Sequence, residues 1–309
     1  MSAIRINGIR VGHQMAHLRQ YPGGRDTSSD LLYQALARDK INLPCIGIEA
    51  GQLGHALSCC LEGPVPGDRS GELVSMVSVY PHGSKSATLG YLLALFADQA
   101  IPFSCMVSSN AMISFIIGRD DRPGCLAMLE KTFDLPPTHT PYEPSFQEET
   151  AEFVKKRYQE TKAYFQEKRI KTYGFSLEAD LALTGFSCAV GQLSAAGRAI
   201  RDMDTPFYFS SALVHETECH IYCLTRAGEP CAESDPGISL IRDTVDLVTF
   251  HGPHFGDRFG IFNTAAACLE VAGIDLILAG CTGASISLVL PAGTGRDAFP
   301  ALEKGFETP

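Results

Sequence analysis

The sequence carries one long passage twice. Residues 73–136 and 247–309 align at a constant offset of 173 (274 minus 101). Identities along the alignment include Ala94/Ala267, Ile101/Ile274, Ala111/Ala284, Ile113/Ile286 and Ser114/Ser287. They continue through Leu129/Leu302, Glu130/Glu303, Lys131/Lys304, Phe133/Phe306 and Pro136/Pro309. Solenoid repeats have periods of roughly 20–50 residues. This offset is far longer, so it marks a duplicated folding unit, and any fold for the chain must accommodate two copies of it.

The first copy reads as β-α-β-β-α. Residues 73–80 are a β-rich run, followed by a Pro81-His82-Gly83 turn and by Ser84 and Ser86, both good helix N-cap residues. Leu89, Leu92, Leu93 and Phe96 recur at helical spacing. Pro102 biases Ile101 out of the α region, so the helix ends near Gln99. Two short strands, 103–108 and 112–117, flank a turn at Ser109, Asn110 and Ala111. Asp120, Asp121 and Pro123 open a second helix with Leu126, Leu129 and Phe133 inward.

The rest of the chain fits around these copies. Residues 3–11 alternate as a strand, 15–19 could form another, and Asp26, Thr27 and Ser28 cap a helix with Leu31, Leu32, Ala35 and Leu36 inward. Apolar runs at 43–48 and 56–61 complete a β-α-β-β order. After a Pro-rich connector and a charged helix over 148–168, strands at 172–177 and 181–186, a helix over 190–201 and strands at 207–212 and 219–224 repeat that order. The layout is thus unit A (1–68), unit B (69–136), the connector (137–168), unit A′ (169–232) and unit B′ (233–309). Neither B nor B′ has text for a fourth strand, whereas each half starts with a spare one, 3–11 or 169–177. Unpaired sheet edges need partners, so each leading strand should complete its half's second unit.

These features resemble the ACT domain, a βαββαβ amino-acid-binding regulatory module, and each half resembles the paired ACT regulatory tail of aspartate kinase. The resemblance rests on VSVYPHGSKSATLGYLL and TFHGPHFGDRFGIFNTAAA, on the helix-to-strand joints ARDKINLP, ADQAIPF and VAGIDL, and on the hairpins MVSSNAMISFII and AGCTGASISLVL. It implies an α+β fold of four tandem ferredoxin-like βαββαβ units, two duplicated pairs, with antiparallel sheets and helices on one face. It also implies docking of A with B and of A′ with B′. The kinase domain and its Gly-rich nucleotide loop are missing from the sequence.

In that family a ligand sits between two units, against the loop after the first strand. A Gly-rich loop entering a helix presents N–H donors to an α-carboxylate. Here those loops are His82, Gly83, Ser84, Lys85 and Ser86, and His254, Phe255, Gly256, Asp257 and Arg258. Ser108, Ser109, Asn110 and Thr282 add polar groups from the hairpins. The family commonly places an acidic residue three positions after the joint isoleucine. Ser104 and Ile277 stand there, with Asp275 displaced by two.

Other chemistry is poorly served. His215, His220, His251 and His254 are zinc-type ligands, but spacing puts no set of them on a common face, so neither a metal nor any other cofactor is expected. No Gly-x-Ser-x-Gly element or paired carboxylates point to an enzyme. A net charge of −10 disfavours nucleic acid, and no run approaches a membrane span. The cytoplasm is the default location, where the eleven cysteines read as small buried hydrophobes. The expected function is a non-catalytic amino-acid sensor acting on a regulated enzyme or through self-association. The alternative is a ligand-free module that mediates protein contacts.

Overall fold

A computed structural model describes residues 4–21, 31–51, 54–62, 71–80, 83–139, 169–229, 238–256, 258–282 and 285–309. The expected charged helix, the caps Asp26, Thr27 and Ser28, and the site candidates His82 and Asp257 lie outside these residues.

The chain runs strand–helix–strand–strand four times. The first pass is β1 (Gly8–Gln20), α1 (Leu32–Arg38), β2 (Cys45–Gly51) and β3 (Gly54–Glu62). The second is β4 (Glu72–Tyr80), α2 (Ser86–Asp98), β5 (Phe103–Ser108) and β6 (Ile113–Gly118), followed by α3 (Arg122–Thr132). After β7 (Ile170–Lys171) come β8 (Phe175–Ala189), α4 (Leu193–Asp202), β9 (Phe207–His215) and β10 (Glu218–Arg226). The last pass is β11 (Ile238–His251), α5 (Ile261–Val271), β12 (Leu278–Thr282), β13 (Ser285–Pro291), α6 (Gly295–Leu302) and β14 (Phe306–Glu307).

The sequence suggests separate sheets. The structure instead closes twelve strands into one ring, in the order β1-β3-β2-β12-β13-β11-β8-β10-β9-β5-β6-β4 and back to β1. Every ladder in it is antiparallel. Each half forms a six-stranded sheet ending in two edge strands, and the halves pair edge to edge. Gly280 of β12 sits opposite Gly47 of β2, and Met106 of β5 opposite Ala212 of β9. The backbone polar groups at each edge find partners in the other half.

The long strands each serve two passes. Gly8–Gly12 of β1 runs beside Tyr80–Met76 of β4 and, past a bulge between Gly12 and Met15, Met15–Gln20 runs beside Glu62–Leu57 of β3. The two strands read separately at 3–11 and 15–19 are therefore one, bent where the bulge raises the local twist. Likewise β8 pairs with β11 on both sides of an irregularity, Phe175–Glu178 against Phe250–Leu247 and Leu181–Cys188 against Val245–Ile238, while its residues Leu181–Ala189 also pair with Arg226–Glu218 of β10. Residues 169–177 are not a single strand: Gly174 turns the chain at φ 110°, and β7 pairs in parallel with β14. The first half has the same bridge, Arg5 to Asp134, with the Ile6 N–H donating to Asp134 O at 3.1 Å. A fourth-strand position after each second helix thus exists, reduced to one or two residues.

Alternation along the strands creates three cores. Leu89, Leu93, Phe96, Leu126 and Ile200 pack α2, α3 and α4 on one stretch of the outer face. Leu36, Phe262, Leu269 and Leu302 do the same for α1, α5 and α6 on another. Met15, Cys45, Cys105, Val107, Phe209 and Leu278 fill the ring interior with strand side chains alone. Ile101 and Ile274 are half-buried at the rim of the outer cores, rather than central. All cysteines among the described residues are free thiols, and all but Cys268 are buried. Helix contacts run between halves, α2 with α4 and α1 with α5. Strand pairing joins the two passes within each half, whereas the helices dock the second pass on the third and the first on the fourth.

Two histidine-containing polar clusters lie inside the ring among the described residues. The His17 Nε2 hydrogen bonds Ser58 Oγ at 2.6 Å and its Nδ1 lies 3.4 Å from Ser104 Oγ. Burial, and secondarily Arg19, pull the His17 pKa from 6.5 to about 3. Glu49 of β2 accepts from Tyr222 Oη and lies 3.1 Å from His220 Nδ1, tying β2 to β10 across the ring. The bond to Glu49 raises the His220 pKa. Burial works against ionisation of Glu49, but its bonds to His220 and Tyr222 prevail and hold its pKa below the usual value.

The two histidines set opposite pH slopes. His17 stays neutral in the fold while the unfolded chain protonates below 6.5, so stability falls as pH drops from about 6.5 towards 3. The limiting slope is about 1.4 kcal/mol per pH unit. The His220 contribution is present in full below its unfolded pKa and is lost as pH rises through its raised folded pKa. Urea midpoints measured across pH should peak near neutrality; His17→Gln should flatten the acid side and His220→Gln the alkaline side. Residues 1–139 expressed alone expose the β2 and β5 edges that β12 and β9 cover in the whole chain. That fragment should elute from light-scattering chromatography as a dimer or larger, and a stable monomer would contradict the edge-closure account.

Candidate functional site

The two helix docking seams differ. Where α2 meets α4, a β-carbon on Gly90 would lie 2.3 Å from both Gly197 O and Arg201 N. Only glycine lets the two backbones approach this closely. The loop before α2 is also laced to the strand opposite. Ser86 N–H donates to Thr205 O at 2.9 Å, Thr205 N–H to Ser86 Oγ at 2.9 Å, and Phe207 N–H to Ser84 O at 2.8 Å. Ser86 therefore begins the helix with its hydroxyl turned to Thr205, and Lys85 holds the N-cap position while bridging Pro206. This seam is filled by protein.

The seam between α1 and α5 is open. The 173-residue offset puts Asn263 in place of Gly90, since 263 minus 90 is 173. It also puts Arg258 in place of Lys85, since 258 minus 85 is 173. A branched amide cannot allow the backbone contact that glycine does. The helices meet instead through side chains, with Tyr33 edge-on to Phe262 at 5.0 Å between ring centroids. The gap is a small cleft between the two helices. Both Asn263 and Arg258 line it.

The cleft wall is assembled from separate parts of the chain. Tyr33 and Ala37 come from α1, Asn42 and Leu43 from the joint before β2, Phe255 from the loop after β11, and Cys281 and Ile286 from the β12–β13 hairpin. Phe255 is buried and packs edge-on against Phe250 at 5.9 Å, which pins the loop. Asn42 donates its amide to Gly256 O, joining the loop to the joint. Arg258 donates to Arg169 O at 3.3 Å. The first N–H groups of α5 have no partner within the helix, so its start at Ile261 carries positive partial charge. Burial, with a smaller effect from Glu270, pushes the Tyr33 phenol up to about 12, so it remains a neutral donor.

Of the residues picked out from the sequence, Phe255 and Arg258 line the cleft, and Gly256 borders it through its carbonyl. His254 is exposed at φ 64°, and it is His254 and Gly260 (φ 76°), not Gly256, that take left-handed backbone in this loop. Thr282 is buried one residue beyond Cys281; strand alternation puts it on the opposite face, and its hydroxyl finds no partner among the described residues. Asp275 is exposed and outside the cleft. In the first copy, Gly83 turns at φ 65°, and Ser84, Lys85 and Ser86 are engaged by residues 205–207. Ser108 Oγ accepts from Ser210 N–H at 2.7 Å, Ser109 closes its own turn to Met112, and Asn110 is exposed. Ser104 faces His17 in the ring. Sequence reading missed Tyr33, Asn42, Phe262 and Asn263; the Gly90-to-Asn263 change was the available signal for the last.

Comparison with family models and with curated protein sequences gives no match. Solved structures do match. Aspartate kinase from Synechocystis superposes with a TM-score of 0.70 at 14% identity, covering 98% of this chain and 56% of that one. This chain thus spans about half the length of that kinase. The ligand-free regulatory subunit of aspartate kinase from Thermus thermophilus matches with a TM-score of 0.39 at 16% identity, over 45% of this chain and all of its own. That from Thermus flavus matches with a TM-score of 0.36 at 14% identity, over 44% of this chain and 98% of its own. The likeness is one of fold, and of these three only the first extends over the whole chain.

The contrast between the seams has a direct test. Gly90→Ala places its methyl against backbone that cannot rotate away, so it should cost about 1–3 kcal/mol or more in urea denaturation as an overpacked contact. Asn263→Gly removes no backbone contact and should cost less than about 1 kcal/mol, mainly from helix propensity. Equal losses would show that the seams are not packed differently.

Proposed function

We propose that this chain is a non-catalytic regulatory protein that binds one amino acid in the α1/α5 cleft. In this reading it comprises four ferredoxin-like, ACT-like units with the boundaries 1–68, 69–136, 169–232 and 233–309, which share their long strands. The observation that carries it is the open seam. A loop, a helix N-terminus and the Arg258 charge converge there on a concave, largely apolar space between two duplicated units. An α-carboxylate is well served by backbone N–H groups at a helix start with a nearby guanidinium. The whole-chain likeness to an aspartate kinase supports regulation as the setting. The regulated partner would be a separate enzyme or another copy of this chain.

The α2/α4 seam favours a second role within the same molecule. Its loop is already engaged by residues 205–207, with Ser86 N–H donating to Thr205 O while Ser84 O and Ser86 Oγ accept from Phe207 and Thr205, so it acts as the ligand-free assembly contact. Titration calorimetry of the intact protein with the twenty amino acids tests both assignments. One of them should bind with a stoichiometry near one per chain, and at about 100 times its Kd should add roughly 2.7 kcal/mol of stability. Two equivalent sites would contradict the closed seam, and no binding by any amino acid would leave assembly as the chain's role.

A further inference from the structure

The seam between β2 and β12, which joins the halves, ends at a group that can change its charge. Glu49 sits opposite Leu278 in the last register pair of that ladder, and the Ala50 N–H beside it donates to Ile277 O at 2.8 Å. Beyond this bond β2 pairs only with β3 among the described residues. The end of the seam is held from the opposite layer by the polar cluster on β10. Glu49 Oε1 and Oε2 lie 3.1 and 3.2 Å from His220 Nδ1, and Tyr222 Oη donates to Oε1.

The surroundings of His220 define what its proton does. Glu49 approaches from β2. On β10 itself, Glu218 lies 3.8 Å from Nε2, and Tyr222 projects from the same face. The cross-strand neighbours of His220 are Ser187 of β8 and Leu213 of β9, while His215 of β9 stands opposite Glu218. The His220 side chain is 34% exposed, so it can gain and lose a proton within the fold, whereas the His17 side chain is fully buried. Burial, and then the bond to Glu49, push the Tyr222 phenol up, so it stays a donor throughout.

We propose that Glu49, His220 and Tyr222 form a proton-dependent latch on the β2–β12 seam, closed while His220 is charged and slack once it is neutral. The charged imidazole donates to Glu49 and pairs with its charge. A neutral imidazole carries one N–H, for which Glu49 and Glu218 compete, and leaves Tyr222 as the steady donor to Glu49. The bond to Glu49 raises the His220 pKa against the opposing effect of burial. The latch is therefore fully closed below the ordinary value of 6.5 and slackens as pH rises through the raised value in the fold.

The test is amide hydrogen exchange of the full chain, followed by NMR from about pH 6 to about pH 9 and corrected for the intrinsic pH dependence of exchange. Protection of the Ala50 amide should fall roughly two- to fivefold, the effect of a partly exposed ion pair, with the midpoint shown by the His220 ring protons. Val77, buried in the first half, should keep its protection over the same range. His220→Gln should make Ala50 protection independent of pH. Should that variant not fold, coincidence of the Ala50 and His220 midpoints in the wild type supports the latch, and distinct midpoints would overturn it. Ala50 protection that ignores pH in the wild type, a fall shared equally by Val77, or a pH dependence that survives His220→Gln would each overturn it as well.

Discussion

The structure depends on one contact, the meeting of four edge strands at the middle of the ring. Gly47 and Gly280 face each other across the β2–β12 ladder. From the opposite wall Val107 and Phe209 press into the space their side chains leave: a β-carbon on Gly280 would lie 2.5 Å from Val107 Cγ1 and 2.7 Å from Phe209 Cε2. One on Gly47 would lie 3.0 Å from Cys105 Sγ. Glycine in a strand interior ordinarily weakens it and often marks close approach of another element. Here that approach flattens the ring, fills its interior without a helix, and brings both pairs of edges into register.

Closure also fixes where the helices go. With the interior filled by strands, every helix among the described residues is outside, and the edge pairings decide which helices become neighbours. Since β2 pairs with β12 and β5 with β9, α1 is carried to α5 and α2 to α4. Identical topology at both seams gives different outcomes because of the side chains delivered there. Gly90 and Gly197 let one pair of helices close, whereas Asn263, Tyr33 and Phe262 hold the other pair apart.

Much of this was legible in the sequence. The duplication was visible as text, and helix α2 ends where Pro102 and its neighbours required. The spare leading strand was read from an unpaired edge, and β1 does lie beside β4. The pairing of halves was not legible, because edge ladders are made by backbone groups common to all residues and β2 carries no side-chain signature of β12. Bulges hid too: 3–11 and 15–19 looked like two strands since alternation loses phase between Gly12 and Met15. For the site, Phe255 and Arg258, picked out from the sequence as ligand-binding, line the cleft, whereas its other wall residues Asn42 and Tyr33 arrive from more than 200 residues away in sequence. Such partners follow only from ring closure.

Joining both halves in one polypeptide has a consequence for how the molecule can answer a signal. Two identical halves associating as a symmetric dimer would have to make both seams alike, both open or both closed. A fused chain is released from that requirement, and residues 90 and 263 show the copies diverging. On the proposed reading, an effector in the α1/α5 cleft would have no equivalent site at the filled α2/α4 seam to which its binding could be coupled. Its occupancy would then follow effector concentration hyperbolically, a graded meter rather than a switch, and any steeper response would have to originate in the contacts between chains.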